Sequence, residues 1–116
     1  MVPPPQIKQL ATPTVAGTNA IIDSKEVNKH FDETITTTGT IVSTRLIESN
    51  QMTLLNVGAN HPNQDFTIVI RKDDRSKFNQ PEIDLKGKTV TVTGKVTNYK
   101  GLAEIIVTNP KQLIVQ

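Results

Sequence analysis

Thr34-Ile35-Thr36-Thr37-Thr38-Gly39-Thr40-Ile41 and Thr89-Val90-Thr91-Val92-Thr93-Gly94-Lys95-Val96 are two versions of one unit, set at a fixed offset in a chain of 116 residues. In each, threonines interleave with β-branched apolar residues until a single glycine interrupts the run. A period of two sends one set of side chains to a buried face and the threonines to the other. A glycine inside such a run weakens the strand, so its place marks a bulge or a sharp bend where a curled sheet turns a corner. Two long, bent strands in a small chain predict a closed or nearly closed β-barrel. Such a fold points to recognition rather than catalysis.

A chain of this length makes one domain with a modest core. It has no cysteine, which excludes disulfides and thiolate-bound zinc. The formal charge is +2, unevenly spread. Residues 1–33 carry Lys8, Lys25 and Lys29 against Asp23, Glu26, Asp32 and Glu33, a sum of −1, so the remainder carries +3 and the basic excess lies on the β-rich part. Phe31, Phe66, Phe78 and Tyr99 are the whole aromatic set, which limits any mechanism built on stacking. No apolar run is long enough for a transmembrane helix, and no signal-peptide core is visible. The opening Met1-Val2-Pro3-Pro4-Pro5, polar onward to about Asn19, reads as a flexible Pro-rich arm over residues 1–20. A single domain over residues 21–116 follows. A Pro/Thr/Ala tether before a compact domain favours an exported or cell-envelope protein over a cytoplasmic one.

Asp23 has the chemistry of a helix N-cap, with Glu26 as its reciprocal partner, which predicts a short helix from Ser24 to about His30 carrying Val27 and Phe31 on one face. Five strands follow, at about Thr34–Ile47, Met52–Val57, Phe66–Arg71, Lys88–Asn98 and Leu102–Thr108. Glu48–Gln51 is the first turn, residues 58–65 a loop, and Tyr99-Lys100-Gly101 the last hairpin tip. Lys72 to Phe78 reads as a short helical connection closed by Asn79-Gln80-Pro81, since the residue before proline avoids the helical region. Leu113-Ile114-Val115 offers a short closing strand. Three strands, a helical connection and two more strands is the layout of an all-β, five-stranded OB-fold, a Greek-key barrel with one or two short helices. An immunoglobulin-like sandwich needs about seven strands, which the pattern does not supply.

The stretches Leu55-Asn56-Val57-Gly58, Pro62 through Ile70, Leu85 through Val96 and Tyr99-Lys100-Gly101, with Glu104-Ile105 and Pro110-Lys111-Gln112-Leu113, resemble a group of small bacterial OB-fold domains. Members of that group accompany secreted nuclease domains or stand alone as lipoproteins described as nucleic-acid-binding. The resemblance covers about Thr34 to Val115 and implies a nucleic-acid-binding, exported module. The group often has an aromatic residue just before the Pro-Asn-Gln triplet, where this chain has His61.

OB-folds that hold single strands combine a basic groove with aromatic faces, across strands 2–3 and the loops joining strands 1–2 and 4–5. Tyr99 and Lys100 fall on the last tip, where a base stacks while the ammonium meets a phosphate; alternatively Tyr99 simply packs over the hairpin. Arg45, Arg71, Lys72 and Lys95 are candidates to line the groove, or else solubilising strand cations. His61 and Asn63 lie in a polar loop with Gln64. Amides there read base edges or hold the turn through their own backbone. The threonine rows at Thr36, Thr38, Thr91 and Thr93 serve strand propensity and cross-strand pairing. His30 and His61 have no ligand-spaced partner, Asp73-Asp74 suits a helix start, and no nucleophile constellation or phosphate-cradling loop is visible. The expectation is therefore a non-catalytic module with no cofactor or metal, binding single-stranded nucleic acid weakly and largely without sequence specificity. The alternative is a protein–protein adaptor of the bacterial cell envelope.

Overall fold

The computed structural model describes residues 21–116, so the Pro-rich arm expected over residues 1–20 lies outside the described residues. Seven strands follow one another: β1 (Ile21–Asp23), β2 (Thr34–Ile47), β3 (Met52–Val57), β4 (Phe66–Ile70), β5 (Thr89–Tyr99), β6 (Leu102–Ile106) and β7 (Leu113–Val115). Two short helices, α1 (Lys72–Arg75) and α2 (Pro81–Asp84), bridge β4 to β5. Strands β2, β3 and β4 form an antiparallel meander, β6 runs parallel beside β4, and β5 pairs with β6 and then closes against β2. This is the OB-fold, a barrel with a Greek-key path.

The five strands expected from the sequence form the barrel, and the total of seven corrects that number. The two further strands have three residues each and lie on the β2–β5 side: β1, not expected from the sequence, runs parallel to β2, and β7, the closing strand expected at Leu113–Val115, lies antiparallel to β5. Each tucks one apolar residue toward the core, Ile22 from β1 and Leu113 from β7. Three residues are too few to show a period, which is why β1 reads from sequence as part of a helix cap.

Barrel closure rests on strands that belong to two halves at once. Residues 34–40 of β2 pair with residues 89–95 of β5, whereas residues 41–47 pair with β3. In the same way β5 leaves β2 and takes β6 from Val96 onward. Gly39 and Gly94 each sit just before the change of partner. A Cβ at Gly94 would stand 2.7 Å from Ile105 Cγ2, and one at Gly39 would run into Val57 Cγ1. The glycines therefore mark close approach of strands at the corners, while the bulge itself falls between Ile41 and Ser43. Inside, Ile41, Leu55, Ile68, Val92, Val96 and Ile105 are fully buried. Outside, threonine hydroxyls pair across β2 and β5: Thr36 with Thr93 at 2.8 Å, Thr38 with Thr91 at 3.0 Å and Thr40 with Thr89 at 2.8 Å.

The expected N-terminal helix is a 3-10 turn over Ser24–Lys29. Asp23 caps it by accepting from Lys25 N at 2.9 Å, but Glu26 turns to Lys29 at 2.9 Å rather than back to the cap. So short a turn is marginal alone, and tertiary burial of Val27 holds it. The β4–β5 connection also differs from expectation. Asn79, with φ of 68°, stops the first helical stretch, and Pro81 opens α2 rather than only ending α1.

Alanine at Gly39 or Gly94 should lower stability by about 1–3 kcal/mol, because each corner is already at contact distance. Urea denaturation checks this, and an unchanged midpoint would refute the close-approach role.

Candidate functional site

The outward residues of the β2–β3–β4–β6 wall follow from register. One row runs Ser43, Asn56, Thr67, Glu104 and Thr97, and the next runs Arg45, Leu54, Val69 and Ile106. Beyond the first row, Tyr99 faces Leu102 at the hairpin end. The first row is stitched by hydrogen bonds: Asn56 Nδ2 donates to Ser43 Oγ at 3.1 Å, and Thr67 Oγ1 donates to Asn56 Oδ1 at 3.1 Å. Gln64 Nε2 donates to Thr67 Oγ1 at 2.9 Å and meets His61 Nδ1 at 3.1 Å. Asn56, Thr67 and Val69 are buried although they point outward, so neighbouring side chains close over them.

The wall has two ends. The turn Glu48–Gln51 lies at one, with Arg71 and Lys72 beside it because Ile70 pairs with Thr53. The Tyr99–Gly101 tip and the loop 58–65 share the other, where Asn28, Gln64, Asp65, Phe66, Gly101 and Leu102 line a shallow cleft of about 60 Å³. Gln64 Oε1 is buried there without a hydrogen-bond partner. Asp65 accepts from Ser24 Oγ at 2.8 Å, which ties the 3-10 turn to this loop.

Tyr99 is 53% exposed and is the one aromatic side chain among the described residues that solvent reaches freely. Phe66 is buried in the barrel, and Phe31 and Phe78 pack against the core. Lys100 and Gly101 take φ of 53° and 87°, the paired positive angles of a tight hairpin turn, and Asn98 Oδ1 accepts from Gly101 N at 2.7 Å. The Lys100 ammonium stands 5.4 Å from the centre of the Tyr99 ring. Arg45 is exposed on the wall itself. Asn63 is exposed, and its backbone N–H donates to Asn60 O at 2.7 Å in a turn.

The structure thus brings Arg45, His61, Tyr99 and Lys100 to one wall and its lower rim, with Arg71 and Lys72 at the opposite rim. Lys95 stands apart: it lies opposite Thr34 on the threonine-covered side. Among the described residues, Arg45, Arg71, Lys72 and Lys95 form no ion pair. The outward rows are mixed in character, one guanidinium beside apolar Leu54, Val69 and Ile106 and one carboxylate, Glu104. Burial raises the Glu104 carboxyl above the ordinary glutamate range.

Sequence reasoning passed over Glu104, Arg75 and Glu82. Arg75 grips both oxygens of Glu82 at 2.8 and 2.9 Å and donates from Nε to the buried Thr53 Oγ1 at 2.9 Å. Thr44 Oγ1 donates to the Glu82 backbone oxygen at 2.6 Å, so α1 and α2 are both pinned to the barrel. Burial alone would push the Glu82 carboxyl up, but the Arg75 hydrogen bonds and charge, with Thr53, outweigh it and hold the group below its usual range. The alternating strand pattern around Glu104 was a usable signal, whereas nothing local in sequence links residue 75 to 82.

No family model and no curated protein matches this chain. Solved structures do. Asparaginyl-tRNA synthetase from Pyrococcus horikoshii aligns with a TM-score of 0.60 and 17% identity over 81% of this chain and 22% of its own. RecG bound to a three-way DNA junction gives 0.57 and 22% over 84% of this chain and 12% of its own. The hypothetical protein ygiW from E. coli gives 0.51 and 19% over 84% of this chain and 91% of its own. The chain spans less than a quarter of the synthetase and of RecG. At these identities the likeness is one of fold.

Arg75→Ala should cost about 2 kcal/mol at neutral pH, since it strands a half-buried carboxylate. A folded pKa held low stabilises above the unfolded pKa and loses that contribution as pH falls through the folded value. The stability gap between wild type and Glu82→Gln should therefore narrow on acidification from about pH 6 to pH 3. Urea titrations across that range test both statements.

Proposed function

We propose that this chain is a non-catalytic OB-fold module that binds single-stranded nucleic acid weakly and with broad sequence tolerance. The supporting observation is Tyr99, an exposed ring with an ammonium poised over it, at the end of a wall whose cations form no ion pair among the described residues. A base stacks on Tyr99. Lys100 and Arg45 meet the phosphates along the wall, and Arg71 and Lys72 continue the path past the turn Glu48–Gln51. His61 offers a second, smaller planar surface at the lower rim, and Asn63 a solvent-facing amide. Lys95 lies off this path and is assigned solubility. RecG, solved on a DNA junction, supports the reading as another carrier of the fold, and the sequence resemblance supports an exported or envelope setting.

One stacked ring contributes about 1–3 kcal/mol. About four engaged cations give a salt slope near −3 for a single strand. Together these place the affinity at about the micromolar level or weaker. A second reading, an envelope protein adaptor, is favoured by one feature: the half-buried apolar side chains of Leu54 and Ile106 beside Glu104, which suit a peptide better than a phosphate chain.

Fluorescence anisotropy with labelled oligonucleotides at low and moderate salt decides between them. Salt-sensitive binding that weakens about tenfold in Tyr99→Ala and several-fold in Lys100→Ala is expected. Absence of binding at both salts would overturn the nucleic-acid reading.

A further inference from the structure

Glu104 is a carboxylate in the middle of a wall otherwise suited to an anionic strand. It stands outward, half-buried, between Thr67 of β4 and Thr97 of β5. No cation among the described residues lies within 4 Å of it. Packing does not explain it, since its side chain has no hydrogen-bond partner among the described residues, while its backbone oxygen accepts from Thr97 Oγ1 at 3.1 Å. Phosphates cannot approach it favourably, but base edges can.

Register supplies the second half of the argument. Thr97 faces Glu104 and Tyr99 faces Leu102, so Tyr99 and Glu104 are diagonal neighbours on one face. Such positions lie about 7–8 Å apart, within reach of one base and its edge. A base stacked on Tyr99 therefore presents its hydrogen-bonding edge to an acceptor-only group. Cytosine and adenine carry an exocyclic amino donor on that edge, and guanine an amino group beside N1–H, whereas thymine and uracil carry a single N3–H flanked by two carbonyl oxygens that repel a carboxylate.

We propose that Glu104 accepts from the exocyclic amino group of the base stacked on Tyr99, and so biases this position toward cytosine and adenine over thymine and uracil. The inference rests on the nucleic-acid reading above and adds one selective position to an otherwise tolerant surface. Lys100, 5.4 Å from the ring centre, takes the adjoining phosphate, so the carboxylate and the ammonium divide base from backbone.

The test is anisotropy with labelled oligo-dC and oligo-dT of about twelve nucleotides, a length within the site sizes of single OB-folds, at mildly alkaline pH and low salt. Wild type should favour oligo-dC by about three- to tenfold, below the full discrimination of a bidentate contact. Glu104→Gln, which can also donate, should bring the ratio close to one and bind oligo-dT more tightly than wild type does. Glu104→Ala should also lose the preference, and Tyr99→Ala should lose both affinity and preference. Equal or tighter binding of oligo-dT by wild type, or a preference that survives Glu104→Gln, would overturn the inference while leaving the module reading intact. No binding of either oligonucleotide by any form would overturn the nucleic-acid reading itself, and the base preference with it.

Discussion

The close approach of strands at Gly39 and Gly94 is the constraint on which the other features depend. A closed barrel of five strands needs two of them to be shared between its halves, and a shared strand must bend across its neighbour. At those crossings the neighbour's Val57 or Ile105 occupies the space a side chain would need. The same bend turns the outward face of each strand. The first halves of β2 and β5 present paired threonine hydroxyls, while their second halves present Arg45, Thr97 and Tyr99 beside β3, β4 and β6. Without the corners, β2 and β5 would not deliver Arg45 and Tyr99 to one wall.

The outward face of that wall is stitched by paired polar groups over an apolar inner face. Asn56 and Thr67 are buried, and each finds partners along the row from Ser43 to Gln64. Buried amides and hydroxyls cost little when paired and several kcal/mol-scale penalties arise only when a partner is lost. The network therefore fixes rotamers on a surface that has few large side chains to fix them by contact. At the upper end the Arg75–Glu82 pair plays the same part for the β4–β5 connection, fastening two one-turn helices that could not persist alone.

The barrel was readable because its signal is periodic. Thr34–Ile47 and Met52–Val57 emerge with the expected bounds, and Val90, Val92 and Val96 point inward as the alternation requires. What escaped has no period to read: three-residue β1, a 3-10 turn where capping residues suggested an α-helix, and α2 behind a proline that ordinarily ends helices. The candidate site divides the same way. Tyr99 and Lys100 were legible from a hairpin tip, and Arg45 from strand alternation. Lys95 shares that alternation but lies on the half of β5 that pairs with β2, opposite Thr34, a placement set by the change of partner rather than by spacing. Arg75 and Glu82 meet only because α1 and α2 fold back over Thr53, a relation set by tertiary packing.

The charge layout argues for a particular orientation of any strand on this wall. A carboxylate at the centre with cations at the rims repels a backbone laid down the middle and attracts one laid along the edges. On the proposed nucleic-acid reading, bases would face inward, toward Thr67, Thr97 and Glu104, and phosphates outward, toward Arg45, Lys100 and the Arg71–Lys72 end. A uniformly basic groove imposes no such direction, because phosphate and base edge are both welcome in it. Poverty in aromatic rings thus has a counterpart in polarity: on that reading, with one ring to stack upon, the surface would rely on the sign and position of its few charges to set which side of the strand it meets.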